Sequence, residues 1–180
     1  MVVITYQMVL STLQTVGLLV GIFYYITIMR NAQKTREMTL NAQEQAVETR
    51  QAQLLMDLYE TYRGPAFRKQ FDHVIYRMEY GTWDEFERRF DPIENPDERV
   101  IWFSVAAFYE GVGVLLKRKL IDISLIDDLL AQSIRMAWEK IGPIEIESRK
   151  RLNQPRAWDD FEYLYNELMK YHEEHPELKT

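Results

Sequence analysis

The first 29 residues of this 180-residue chain carry no charged side chain, although the sequence contains 22 Lys and Arg and 28 Asp and Glu residues. The segment from Met8 to Met29 is almost continuously apolar, and its 22 residues would form a helix about 33 Å long at ~1.5 Å per residue. The hydrocarbon core of a bilayer is about 30 Å thick. We therefore predict that residues 1–29 form a transmembrane anchor. A cleaved signal peptide would need a basic start, a shorter apolar stretch and a small-residue cleavage site, and none of these is present.

Basic residues follow the apolar segment directly, whereas no Lys or Arg precedes it. The positive-inside rule then predicts a short N-terminus outside the cell membrane and a cytoplasmic C-terminal part, in a single-pass topology. A second basic group lies near the end of the chain. Contact with membrane lipid or with a partner is expected at Arg30, Lys34, Arg36, Arg149, Lys150 and Arg151. The alternative is that the second group is an ordinary solvated surface.

Within the anchor, Gly17 and Gly21 form a GxxxG motif, which allows close approach of another helix. Gln14 is a polar side chain that we expect to face a protein neighbour rather than lipid. A heptad series of small and polar positions continues from this motif through Met38 and Ala42. We call this series the seam, and predict an oligomer interface at Gln14, Gly17, Gly21, Met38, Ala42 and Ala52. A chance GxxxG followed by a solvated spacer is the alternative, and a competing seam runs through Leu40, Val47 and Leu54.

The rest of the chain is helical in pattern. Residues 30–63 lack proline and glycine up to Tyr62 and predict a helical stalk with a weak coiled coil, and residues 64–180 predict a cytoplasmic helical bundle, called the body below. Helix starts are predicted by a capping box at Thr82–Glu85, by Asn95–Pro96 and by Ser124 with Asp127. The Ser124 helix is expected to close before Gly142–Pro143, a short basic helix to lead to Pro155, and a last helix to span 156–171. Because no alternating strand pattern occurs, we predict an all-α fold.

The segment Val100–Leu116 is apolar enough to be considered as a second membrane span. Glu110 near its middle would be expensive in lipid, so a central core helix is the favoured interpretation. A carboxyl in such a core must be paired, hydrogen-bonded or protonated. We expect a structural ion pair with Arg77 or Arg135, and keep an active-site acid as the alternative.

Several chemistries are excluded or weakly represented. The chain has no cysteine, which excludes disulfides and thiol nucleophiles, and it has only three histidines. The segment His172–His175 does not match a zinc-protease motif and is interpreted as a polar tail, and no phosphate-binding glycine motif occurs. From Leu54 onward there are 18 basic and 25 acidic residues, which argues against nucleic acid as a partner. We expect no cofactor and no metal.

A resemblance to a known family rests on Phe108–Leu116, Leu120–Asp122, Trp138 and Phe161–Leu164. These segments resemble an uncharacterised prokaryotic family of single-pass membrane proteins with a cytoplasmic helical domain of unknown function. The resemblance implies the anchor, stalk and helical body described above. It implies no activity and no catalytic or binding residue.

The function hypothesis is a membrane-anchored interaction or scaffold protein that is oligomeric through its anchor and stalk. One alternative is an accessory subunit of a membrane transport, channel or respiratory complex. A second alternative is an enzyme that uses Glu110 as its acid.

Overall fold

The computed structural model describes residues 6–178 and contains no β-strand within that range. The predicted all-α class is therefore confirmed. The chain divides into two compact units, one through Thr49 and one from Arg50 onward. The helices are α1 (Tyr6–Arg63), α2 (Pro65–Tyr76), α3 (Trp83–Arg89), α4 (Pro96–Lys117), α5 (Ile123–Arg151), α6 (Asp159–Glu174) and a short 3₁₀ helix (Pro176–Leu178).

Helix α1 contains the apolar segment and the polar stalk as one helix, as the absence of proline and glycine after the anchor predicted. Every described residue of the first unit is exposed. Hydroxyl side chains along the apolar segment are satisfied by their own helix; Thr12 Oγ1, for example, donates to Met8 O at 2.8 Å. By length and composition α1 is a candidate membrane span, and none of its most apolar 18-residue stretch is buried.

The second unit has its own apolar core. Leu55 near the end of α1 is buried in this core, and α4 lies at its centre, where it contacts α2, α5 and α6. Helix α4 also meets the length and composition limits of a span, but 33% of its most apolar window is buried. Its buried residues recur at helical spacing, which supports the interpretation of α4 as a core helix. They are Trp102, Val105, Ala106, Tyr109, Val112 and Gly113.

The predicted helix starts are mostly confirmed. Thr82 Oγ1 accepts from Glu85 N at 3.3 Å and Glu85 Oε2 accepts from Thr82 N at 3.0 Å, which completes the capping box of α3. Asn95 is the N-cap residue of α4 and Pro96 follows at the first helical position. The start of α5 is capped by Asp122, whose Oδ1 accepts from Ser124 N at 2.9 Å, rather than by the predicted Ser124 and Asp127.

The prediction that a helix closes before Gly142–Pro143 is wrong, because α5 continues through both residues to Arg151. Neighbouring side chains make this continuation favourable. The ring of Trp138 covers Gly142 so closely that a Cβ there would lie 2.7 Å from it. The hydroxyl of Tyr80 donates to the carbonyl of Lys140, one residue past the carbonyl that Pro143 leaves without its helical donor. Burial of Ile141 and Ile144 adds to these contacts.

Helix α6 lies against α4 at a glycine. A Cβ built on Gly113 would lie 2.0 Å from the carbonyl oxygen of Asp160, which no side-chain rotation can relieve because both groups belong to backbone. Glycine at this position therefore sets the distance between the two helices.

We expect Gly113→Ala to lower the free energy of unfolding by about 1–3 kcal/mol, because the added methyl overpacks the contact between α4 and α6. Gly111→Ala is the matched control on the same helix, since a Cβ there meets nothing within 4 Å. Greater helix propensity should make that control about 0.5–1 kcal/mol more stable. Urea unfolding of the full chain, followed by tryptophan fluorescence, measures both. Equal effects of the two substitutions would contradict the close contact.

Candidate functional site

Glu110 joins α4 to the first turn of α6. The N-cap residue of α6, Trp158, makes no side-chain capping hydrogen bond. Glu110 Oε2 instead accepts from Phe161 N at 2.7 Å. The first amides of a helix have no partner within it, so this carboxyl acts as an N-cap supplied by another helix. The prediction that Glu110 forms an ion pair with Arg77 or Arg135 is wrong, because the hydrogen-bond partner of Glu110 is the backbone amide of Phe161.

Two further carboxylates surround this junction. Single oxygens of Glu110, Asp159 and Asp160 lie within 4.8 Å of one another, a donor set of the kind that could hold a hard cation. Protein groups already interact with two of these carboxylates. Lys117 Nζ lies 2.5 Å from Asp160 Oδ1, and Glu110 accepts a hydrogen bond from the amide of Phe161. Burial, and then the neighbouring Asp160 and Asp159, raise the pKa of Glu110 against the lowering effect of that amide. The positive N-terminal end of the α6 helix dipole also favours carboxylates here. These structural interactions explain why the three carboxylates lie together.

We expect Glu110→Ala to lower the free energy of unfolding by about 1–3 kcal/mol, because the amide of Phe161 loses its acceptor. Glu110→Gln keeps an oxygen acceptor and removes like-charge repulsion from Asp159 and Asp160, so its stability should stay close to that of the wild type. Urea unfolding of both variants measures the difference. An equally large loss in Glu110→Gln would show that the charge, and not the acceptor, is what matters.

A cavity of about 670 Å³ opens beside α3, α4 and α5, and Glu145 is one of its lining residues. The Glu145 side chain is 3% exposed. Its Oε1 accepts from Trp102 Nε1 at 2.9 Å, and no other described residue donates a hydrogen bond to this carboxyl. A carboxyl so enclosed, with one oxygen lacking a protein donor, calls for an explanation.

Aromatic rings form much of the cavity wall. Trp83 and Phe86 belong to one pair, with ring centroids 5.7 Å apart, and Phe103 and Trp158 to a second, 5.6 Å apart. Trp158 has a φ of 56°, a left-handed conformation that costs a bulky residue energy.

Arg149 holds this turn in place. Its Nη2 donates to Trp158 O at 2.7 Å, its Nε donates to Ala157 O at 2.5 Å, and its guanidinium pairs with Glu162. The strained Trp158 thus stays beside Phe103 at the cavity.

Burial raises the pKa of Glu145, against the lowering effects of the Trp102 hydrogen bond and of Arg149 and Arg99. A glutamate in the unfolded chain has a pKa of about 4.3. At pH values between this value and the raised pKa of the folded state, the folded protein therefore keeps the proton and the unfolded chain has lost it. Stability then falls as pH rises from about 4.3 to the raised pKa of the folded state.

We expect this fall to be shallower in Glu145→Gln, which cannot ionise. Urea unfolding between about pH 4 and pH 7 measures the slope of the free energy of unfolding against pH. Glu139→Gln is the control, since Glu139 is an exposed carboxylate of the same helix. The same slope in the wild type and Glu145→Gln would contradict a raised pKa.

The six positions of the predicted oligomer interface all lie on α1 and are all exposed: Gln14, Gly17, Gly21, Met38, Ala42 and Ala52. The basic residues Arg30, Lys34 and Arg36 on α1 are exposed too, as is Lys150 on α5.

The other two predicted contact residues are engaged within the protein. Arg149 is turned inward, as described above, with a side chain that is 14% exposed. Arg151 Nε lies 2.7 Å from Glu147 Oε1, and its guanidinium carbon lies 5.8 Å from the centre of the Trp83 ring.

The histidine-containing segment near the C-terminus takes part in packing. His172 Nε2 lies 2.6 Å from Asp127 Oδ1, and both side chains are largely buried between α5 and α6. His175 Nδ1 lies 3.0 Å from the carbonyl oxygen of Tyr171. The segment therefore forms the last turn and the C-cap of α6 rather than a free polar tail.

Sequence reasoning missed Glu145. A signal was present, because Glu145 follows Ile141 by four residues and Trp138 by seven, which places it on the apolar face of one continuous helix. Because the predicted helix ended before Gly142, Glu145 was not placed on the same helix face as Trp138 and Ile141.

The fold and these sites define an all-helical chain whose long N-terminal helix is a candidate membrane span. The chain belongs to the family DUF4760, described as a domain of unknown function, which matches residues 11–168. This match confirms the resemblance to an uncharacterised family over most of the chain. Comparison with curated proteins found no match. Comparison with solved structures found none either.

Proposed function

We propose that the protein is a membrane-anchored helical interaction or scaffold protein whose α1 helix both spans the membrane and binds a second copy of itself. The observation that carries the proposal is the exposure of the apolar half of α1. Its large apolar side chains are 44–81% exposed between Tyr6 and Met29. A continuous apolar surface of this length is unfavourable in water, so lipid or protein must cover it.

A second copy is the favoured protein neighbour because of the small residues on one face. A Cβ at Gly17 or at Gly21 would meet nothing within 4 Å, so both glycines leave open notches on the helix surface. Gln14 lies about 60° from Gly17 around the helix at ~100° per residue, and therefore belongs to the same face. A polar amide within hydrocarbon gains from a partner across the interface, and a copy of the same helix supplies an identical amide.

The basic residues after the apolar segment support the membrane assignment and its direction. Arg30, Lys34 and Arg36 are exposed on the turns of α1 that follow Met29. Lys and Arg near a span favour the cytoplasmic side and are attracted to anionic lipid headgroups. The body would then lie in the cytoplasm.

We expect the full-length protein, extracted gently from its own membranes, to give a native mass that is an integer multiple of 21.6 kDa. Gly17→Leu with Gly21→Leu should shift it to the single-chain mass, because the added side chains prevent close approach. Thr12→Leu with Thr15→Leu is the matched control, since it adds the same side chains on the opposite face of α1.

Four results would count against the proposal. An unchanged mass after the double glycine substitution would refute the role of Gly17 and Gly21. An equal loss in the threonine control would show that bulk alone disrupts the assembly. Additional mass from other chains would favour the accessory-subunit alternative, and recovery without detergent would refute the membrane anchor.

A further inference from the structure

We propose that the cavity lined by Glu145 is a binding site for a small organic cation, an ammonium group attached to an apolar or aromatic body. Its volume of about 670 Å³ lies within the range of small-molecule pockets, about 300–1,000 Å³. The site belongs entirely to the second unit of the chain. It stands independently of self-association by α1.

The polar end of the site is the Glu145 carboxyl. Trp102 occupies Oε1, and among residues 6–178 the side-chain atoms that are fully enclosed without a partner are Glu98 Oε2 and the hydroxyl oxygen of Tyr109. Glu145 Oε2 has no donor among the described residues and is not among these enclosed atoms, so it keeps a small solvent-accessible area, and the residue lines the cavity. In its ionised form the Glu145 carboxylate can only accept hydrogen bonds, and an ammonium donor would satisfy its free oxygen with a charge-assisted bond that also favours this ionised form.

The charge balance of the lining favours a cation over an anion. The lining contains four carboxylates, Glu87, Asp91, Glu94 and Glu145, and two guanidinium groups, Arg88 and Arg99. Both arginines are engaged by the protein, since Arg88 Nε donates to Asp84 O at 3.3 Å and Arg99 Nη1 donates to Phe90 O at 2.9 Å.

The aromatic wall supplies the second element of cation recognition. The rings of Trp83, Phe86, Phe103 and Trp158 all line the cavity. The Arg99 guanidinium carbon already lies 4.8 Å from the centre of the Phe103 ring, so this wall accommodates a cation within the protein itself. Faces of aromatic rings attract ammonium groups, and the same rings contact the apolar body of a ligand. The hydrogen bonds of Arg149 to Trp158 O and Ala157 O keep the Trp158 ring at this position.

The experiment titrates the full chain with three probes of matched shape: 2-phenylethylamine, the neutral 2-phenylethanol and the anionic 3-phenylpropionate. Tryptophan fluorescence reports occupancy, because Trp83 and Trp158 line the cavity and Trp102 contacts Glu145. We expect the amine to bind saturably and about tenfold or more tightly than the alcohol, with no saturable binding of the acid.

Glu145→Gln should weaken amine binding by about tenfold or more, while it keeps an oxygen acceptor for Trp102 and so permits folding. Urea unfolding of this variant checks that it folds. Glu139→Gln, an exposed carboxylate on the same helix, should bind the amine as the wild type does.

Equal affinity for amine and alcohol, preferred binding of the acid, or unchanged amine affinity in a folded Glu145→Gln would each overturn the proposal. Absence of saturable amine binding to the wild type would also overturn it.

Discussion

The contact between α4 and α6 determines how the rest of the body is arranged. Gly113 lets the backbone of α6 approach α4, and Glu110, one turn earlier, accepts from the amide of Phe161. These two residues have different roles in one junction, because one removes a steric obstacle and the other satisfies an amide that would otherwise be buried without a partner. Since Glu110 serves as the cap, Trp158 at the N-cap position of α6 need not provide one. Its indole instead packs near Phe103 at the cavity wall.

The second determining feature is that α5 is a single helix from Ile123 to Arg151. Because it continues past Pro143, it brings Glu145 to Trp102 and Arg149 to the turn before α6. A helix that ended at Gly142 would leave both side chains on a separate segment with no fixed register to the core. The cavity therefore depends on α5 for its carboxyl and on Trp158, the N-cap residue of α6, for part of its aromatic wall, and both α5 and α6 pack against α4.

The sequence predicted those parts of the fold that local chemistry determines. The length of α1, the capping box of α3 and the apolar face of α4 all follow from residues within a few positions of one another. The course of α5 was mispredicted because Gly142–Pro143 is locally a helix breaker, and what overrides it comes from Tyr80 and Trp138. The partner of Glu110 lies 51 positions away along the chain and is a backbone amide, so no pattern of side chains could reveal it. The segments that carry the family resemblance include both Glu110 and Phe161, but a resemblance does not show that two residues are in contact.

The two units differ in how their apolar surface is covered. In the body, apolar side chains from several helices cover one another, and the exceptional group is a buried carboxyl that needs a donor. In the first unit, α1 has apolar side chains along its whole first half and no described residue of that unit covers them. The second unit therefore covers much of its apolar surface internally, whereas the apolar half of α1 has no such cover within its own unit. The two partners proposed for α1, lipid and a second copy, are compatible with each other, because a helix packed on the glycine face would leave the remaining faces of α1 available to hydrocarbon.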